Sequence, residues 1–462
     1  MRFVSSLMER GEPGEHAGPP PPMTPGPRAA LALSLVSFAL YNANVREISS
    51  QDTIPARVLP HEVIQYGRLD LDRLFGEWPA DSPLPFWIQH VKGHYRSNYP
   101  VAPALVAVPV YAAPVLLGAG DSWLVLNSLS KLSASLFAAL SVVFVYLAAR
   151  GLASQVATGE MSALATTAVY AVATPTWAIS SQGLWGHGPA QLGLAVALWA
   201  LLRAEKARFG AAAAGLAAGL MVASRPSTGL VAVVLAGFAV RRLGRAGLPF
   251  VMALGVVSAA VVVHNLTIFG SLQGGYAELH RTHAEHHGVA SAWSASLWEG
   301  LVGVLVSPSR GLFVYSPVLL FPAAGLLIWL ARRRGGLLAC AAAAVGAGIG
   351  PVAMFSVWWG GHSFGPRLLT DVLPALVLGL VPIWPAVRRA RLGRWLLAAA
   401  FAASVLVEVV GAFYYPSSRN VDWDTTPKDV DFSHERLWDW RDSQLVRLLR
   451  NGPASPGFRT TP

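Results

Sequence analysis

Apolar runs close to twenty residues long recur from residue 29 to residue 413, separated by short polar or basic turns, and this recurrence leaves few folds open. As an α-helix, a run of roughly 20 residues covers the about 30 Å of a bilayer's hydrocarbon core. Lipid offers no partner to unpaired backbone groups, so helices, which satisfy their own, are the spanning elements. Hydrophobic residues make up 53% of the chain and charged residues 13%, a balance too apolar for a soluble protein to hide. The expected fold is an all-α polytopic membrane protein.

A formal charge of +10 would suit a nucleic-acid binder if the basic residues lined one face. They cluster instead at alternate boundaries between apolar runs: Arg150; Arg203, Lys206 and Arg208; Arg241, Arg242 and Arg245; Arg332 to Arg334; Arg388, Arg389, Arg391 and Arg394. Such clusters mark cytoplasmic helix ends, and no nucleic-acid partner is expected. The remaining boundaries, around Asp52, 183–188, Arg225, 264–293 and 358–367, then face outward. Spans fall near 29–45, 124–149, 161–180, 187–202, 209–224, 227–240, 247–264, 312–331, 336–357, 368–387 and 393–413, about eleven transmembrane helices. Counting 101–118 as another span would turn Arg150 and every later basic cluster outward, so it reads as an interfacial or re-entrant helix. The short run 297–307 reads as a second interfacial helix at the outer surface.

Residues 1–28, rich in Pro and Gly and including Pro19 to Pro22, cannot build a core and form a disordered cytoplasmic tail. The first apolar run is a retained signal anchor. Residues 29–415 make the transmembrane domain, with a large first outer loop at 46–100. Residues 416–462 are polar, carry Trp423, Trp438 and Trp440, and are expected outside. Cys340, the sole cysteine, lies in an apolar span, which excludes a disulfide and a cysteine-based metal site.

Nearly all residues able to do chemistry fall in the outer loops. The first loop holds Asp52, Glu62, Asp70, Asp72, Glu77 and Asp81, then His94-Tyr95-Arg96-Ser97-Asn98-Tyr99-Pro100. Other outer turns carry Gln182, Trp185 and His187, then Arg225, then Ser307-Pro308-Ser309-Arg310-Gly311. The last is Trp358-Trp359-Gly360-Gly361-His362-Ser363-Phe364-Gly365-Pro366-Arg367.

A first span ending near an acid, a long outer loop, a Tyr-Pro segment leading into an interfacial helix and the Trp-Trp-Gly-Gly-x-Ser-Phe-Gly-Pro-Arg turn together resemble the GT-C membrane glycosyltransferases. The resemblance covers roughly residues 29–415. It is closest to the bacterial branch of protein O-mannosyltransferases and aminoarabinose transferases. It implies a GT-C-like bundle that takes a sugar from a polyprenyl phosphate and transfers it, with inversion, on the outer side of the plasma or inner membrane. The acceptor would be a glycan, a lipid or a protein. Asp52 stands where the family keeps its catalytic acid and is expected to be the base that takes the acceptor proton.

The leaving phosphate needs cations. Arg96, Arg225, Arg310 and Arg367, each beside Ser, Gly or Pro at an outward boundary, are expected to hold its oxygens. Tyr99, Gln182, Trp185, His187, Trp358 and His362 are expected to contact substrate, the tryptophans by stacking on a sugar face.

This chain departs from the family's pattern twice. Asn98 stands where relatives carry a lysine before the Pro of the Tyr-Pro segment, and 181–189 lacks the second carboxylate of some relatives. His187 or Gln182 would serve there as hydrogen-bond partners, and no metal or other cofactor is expected. The competing reading of Asp52 is structural, as a helix cap or a partner of Arg57; that of each arginine is snorkelling to headgroups. His280, His283 and His287 would share one face of a helix, as three zinc ligands could, but their spacing fits no compact motif and a solvated or acceptor-contacting loop is the favoured reading. A transporter or lipid flippase is the alternative class. It would place charges at mid-membrane and repeat its spans, whereas the strong polar groups here collect on one side and no repeat is evident.

Overall fold

Helices occupy every one of the eleven apolar stretches. They run Gly26–Asn42, Trp123–Gln155, Glu160–Val172, His187–Arg203, Gly210–Ser224, Gly229–Leu243, Leu248–Phe269, Leu320–Ala331, Leu337–Met354, Leu380–Arg389 and Arg391–Tyr414. The computed structural model describes residues 26–76, 82–120, 122–207, 209–416, 422–458 and 460; the tail 1–25, Glu77, Asp81 and Arg208 lie outside them. Five helical stretches among the described residues are long and apolar enough to cross a membrane alone: Trp123–Gln155, Pro226–Phe269, Leu337–Met354, Arg367–Arg389 and Arg391–Tyr414. The fourth is not one smooth helix. It opens as a tight 3₁₀ segment, Arg367–Val372, before α-helix resumes.

Local chemistry sets the ends. Ser122 caps the longest helix by accepting a hydrogen bond from the Val125 amide, and Gly270, at φ +68°, ends Leu248–Phe269 in the left-handed conformation a Cβ would oppose. Small residues let helices close up. A Cβ on Gly300 would lie 1.8 Å from the Ala353 carbonyl oxygen, so helix Leu297–Val306 presses directly on the end of Leu337–Met354. Gly300→Ala must push the backbones apart. We expect a loss of about 2 kcal/mol or more, seen as earlier thermal unfolding in detergent, and an unchanged melting curve would show that the contact yields freely.

Between the first two long helices, Ile54–Tyr66 packs against Ala102–Leu116 and against Trp123–Gln155, burying Leu59, Ala104, Ala107 and Tyr111. This stretch also holds the one strand pair among the described residues of an otherwise helical chain. Ile88–Val91 and His94–Ser97 form an antiparallel hairpin, pairing Gln89 with Arg96. Its two-residue turn puts Lys92 and Gly93 at φ +53° and +80°, the geometry that suits the twist of paired strands.

The segment from 422 onward folds back on two of the turns. Arg310, only 1% exposed, donates to Asp424 at 2.9 Å and to the carbonyls of Trp359 at 2.8 Å and Gly361 at 3.0 Å. Gln444 bonds the Ser363 carbonyl and the Gly365 amide at 2.8 and 3.0 Å, and Ser307 donates to the Leu437 carbonyl at 2.6 Å. The turns at 307–311 and 358–367 and this segment thus form one polar clasp.

Candidate functional site

Asp52 sits in a 3₁₀ turn, Gln51–Thr53, just beyond the first helix. Ser50 donates to it through its hydroxyl, and its Oδ2 accepts a hydrogen bond of 2.8 Å from Arg367. Arg57 is not its partner. That side chain is buried against Glu47 at 3.4 Å, Asn127 at 2.6 Å and Ser49 at 2.6 Å, beneath the loop.

Arg367 opens the 3₁₀ segment that follows the Gly-rich turn. Its second terminal nitrogen donates to the Gly360 carbonyl at 2.8 Å and its guanidinium lies 4.5 Å from the Trp185 ring centre, a cation–π distance. One turn further on, Asp371 faces two more basic groups. Its carboxylate accepts from His187 Nδ1 at 2.8 Å and from Arg225 Nε at 3.2 Å. A small cavity of about 30 Å³ joins Asp52, Tyr99, Trp185, His187, Arg225 and Arg367. Two donors bordering this cluster have no acceptor: Arg367 Nε and Trp185 Nε1 are buried without a hydrogen-bond partner. Orphaned donors of this kind call for an anion or another polar ligand.

A much larger cavity, about 1390 Å³, shares Asp52, Tyr99, Arg225, Tyr276 and Arg367 with the small one. Its lining falls into three chemical sets. One is cationic and carboxylic, Arg57, Arg225 and Arg367 with Asp52. Another is apolar, with Leu230, Val261, Val262, Leu272, Val352 and Phe355. The third is imidazole-rich, with His280, His283, His286, His287 and His362 beside Asp431.

The expected site residues divide accordingly. Asp52, Tyr99, Arg225, Arg367, Trp185, His187 and His362 all line one or both cavities. Arg96 does not. It sits on the hairpin, bonded to the Leu69 carbonyl at 2.7 Å and 3.9 Å from Asp70. Arg310 is spent on the clasp, with every terminal nitrogen bonded. Gln182 is wholly buried, holding Asn44 at 2.7 Å and Lys131 at 2.6 Å. Trp358 packs over Gly303 and 6.0 Å from Trp438, away from both cavities. Reading the sequence missed Asp371, which supplies a carboxylate to His187 where the 181–189 turn has none of its own.

The expected solvated or acceptor-contacting loop is a helix, Tyr276–His287, whose partly exposed His280, His283, His286 and His287 line the large cavity. Burial, reinforced by neighbouring His287, lowers the His283 pKa to about 4 although Asp431 opposes the shift. Between that value and the ordinary value of 6.5 the unfolded helix binds more protons than the folded one, so stability rises with pH across the window and is lost on acidification. Amide exchange over 276–287, corrected for intrinsic rates, should quicken as pH falls from about 6.5 towards 4. A flat profile would show that His283 is not held neutral.

No family model matches the chain, and no curated protein matches it. Solved structures do. ArnT from Cupriavidus metallidurans, solved bound to undecaprenyl phosphate, superposes with a TM-score of 0.50 at 17% identity, covering 85% of this chain and 66% of that one. The oligosaccharyltransferase of Archaeoglobus fulgidus, solved with zinc and sulfate, gives 0.52 at 14% identity over 92% of this chain and 58% of the other. Its apo form gives 0.52 at 12% over 93% and 61%. This chain therefore spans less than two thirds of the length of these structures. Identities this low establish a shared fold and nothing finer.

Proposed function

We propose that this chain is an integral membrane glycosyltransferase that moves a sugar from a polyprenyl phosphate to an acceptor hydroxyl on the extracytoplasmic side. In this reading the apolar stretches make eleven crossings, the N-terminus is cytoplasmic, and residues 416–462 lie with the site. The observation that carries the proposal is the composition of the large cavity: three arginines, Arg57, Arg225 and Arg367, and two carboxylates, Asp52 and Asp431, share it with a broad apolar wall. An anionic head on a long apolar chain matches that combination, and the solved relative bound to undecaprenyl phosphate shares the fold.

The ion pairs suggest how such a reaction would run. In the free protein Arg367 is held by Asp52, and Arg225 by Asp371. A donor phosphate entering beside them competes for both guanidinium groups and takes up the orphaned Arg367 Nε. As Arg367 turns to the phosphate, Asp52 is released to accept the acceptor's proton. The acceptor oxygen then bonds to the anomeric carbon from the face opposite the phosphate. The carbon–oxygen bond to phosphate breaks, polyprenyl phosphate leaves, and the configuration inverts. Asp371 keeps Arg225 and His187 oriented throughout, while Tyr99, Trp185 and His362 border the space the sugar would fill.

Transfer of radiolabelled sugar from a polyprenyl-phosphate donor in proteoliposomes holding the purified protein tests this directly. Label should pass to an acceptor fraction only when protein and donor are both present. Movement of intact donor between leaflets without transfer would replace this reading by that of a flippase.

A further inference from the structure

The Gly-rich turn and the C-terminal segment meet again at the rim of the large cavity. His362 Nε2 lies 2.9 Å from Asp429 Oδ1 and 3.6 Å from Asp431 Oδ2, and one ligand atom from each of the three falls within 4.8 Å of the others. The carboxylates are fixed from behind. Asp431 Oδ1 accepts from Trp359 Nε1 at 2.7 Å, and Asp429 Oδ1 accepts from the Asp431 amide at 2.9 Å. His362 and Asp431 both line the cavity. The histidine helix shares that lining, and in it His283 Nε2 and His287 Nδ1 are buried atoms with no hydrogen-bond partner. His287 also lies 6.0 Å from Trp359, the residue that orients Asp431.

We propose that His362, Asp429 and Asp431 form a site for a divalent cation, with zinc the best fit, its remaining coordination positions open to the cavity. One imidazole and two carboxylates, on elements joined by a clasp, give the nitrogen and oxygen donor set that zinc accepts, with room for water or a histidine from the facing helix. The bound ion would staple the C-terminal segment to the turn that carries Gly360 and Arg367. A second group, Asp70, Asp72 and His94, also gathers donors within 4.8 Å. It is the weaker site, because Arg96 already stands 3.9 Å from Asp70 and none of the three lines the large cavity. The cation site stands whether or not the chain transfers sugar.

The test is zinc binding to the full chain, purified in detergent without a polyhistidine tag and measured by calorimetry and by metal content after dialysis. One equivalent of zinc should bind, weaken at least tenfold in His362→Ala and in Asp431→Asn, and persist in His94→Ala. Lack of stoichiometric binding overturns the proposal, as does wild-type binding in both rim variants or loss confined to His94→Ala. Should the rim variants not fold, the wild type decides alone: zinc must shield His362 from diethyl pyrocarbonate, read by mass spectrometry, and an unshielded His362 in zinc-loaded protein rejects the site.

Discussion

Asp52→Asn is expected to cut sugar transfer by roughly 10³-fold while leaving the protein inserted and folded. Asparagine has the shape of aspartate and keeps one oxygen that can accept from Arg367; its NH2 cannot also accept from Ser50, which now bonds the other carboxylate oxygen but whose hydroxyl can rotate away. What it loses is the capacity to take a proton. The loss should fall on kcat, with the KM for donor little changed, because in the proposed mechanism Arg225 and Arg367, not Asp52, hold the phosphate. Undiminished transfer would end its assignment as base. A large rise in KM with normal kcat would recast it as a residue that only positions Arg367.

Arg367→Ala should have the next largest effect, a fall of about 10²-fold in kcat/KM with a marked rise in KM for the polyprenyl-phosphate donor. This one side chain holds Asp52 at 2.8 Å and the Gly360 carbonyl at 2.8 Å, and stacks 4.5 Å from the Trp185 ring. Alanine would remove the cation from the phosphate and leave Asp52 without its counter-charge. Arg367→Lys separates these roles. A lysine restores charge but neither the paired donors nor the planar face, so it should recover only part of the donor affinity. Donor KM equal to wild type in both variants would refute the phosphate role.

Much of this was legible in the sequence, for a definite physical reason. A helix in lipid must be apolar along its whole length, so the long apolar helices announce themselves as runs, and Asp52, Arg225 and Arg367 stand out as charges at the ends of runs. The same logic hid Asp371. It lies four residues after Arg367, inside a stretch read as an unbroken span, although an ionisable group there is unusual enough to mark a site. Arg96 and Arg310 failed differently. Beside Ser, Gly or Pro at a boundary they look just like Arg367, and only tertiary contacts separate them: the strand pairing that turns Arg96 toward Asp70, and an ion pair reaching 114 residues along the chain from Arg310 to Asp424. The hairpin's Lys92-Gly93 turn was readable in principle, but the expectation of an all-helical chain passed over it.

That long ion pair sets a schedule. A ribosome delivers Arg310 well before Asp424 exists, and breaking a buried pair by removing one partner costs about 3–5 kcal/mol. The turn at 307–311 must therefore stay hydrated until the segment carrying Asp424 arrives. Asp431, which borders the large cavity, comes later still, and Gln444, which fixes the turn leading to Arg367, comes after that. During synthesis the membrane helices can settle one after another, but the chamber they enclose gains this wall only after all of those helices have been made. A half-made chain would present an open and unclasped site, and so would be held inactive by the order of its own birth.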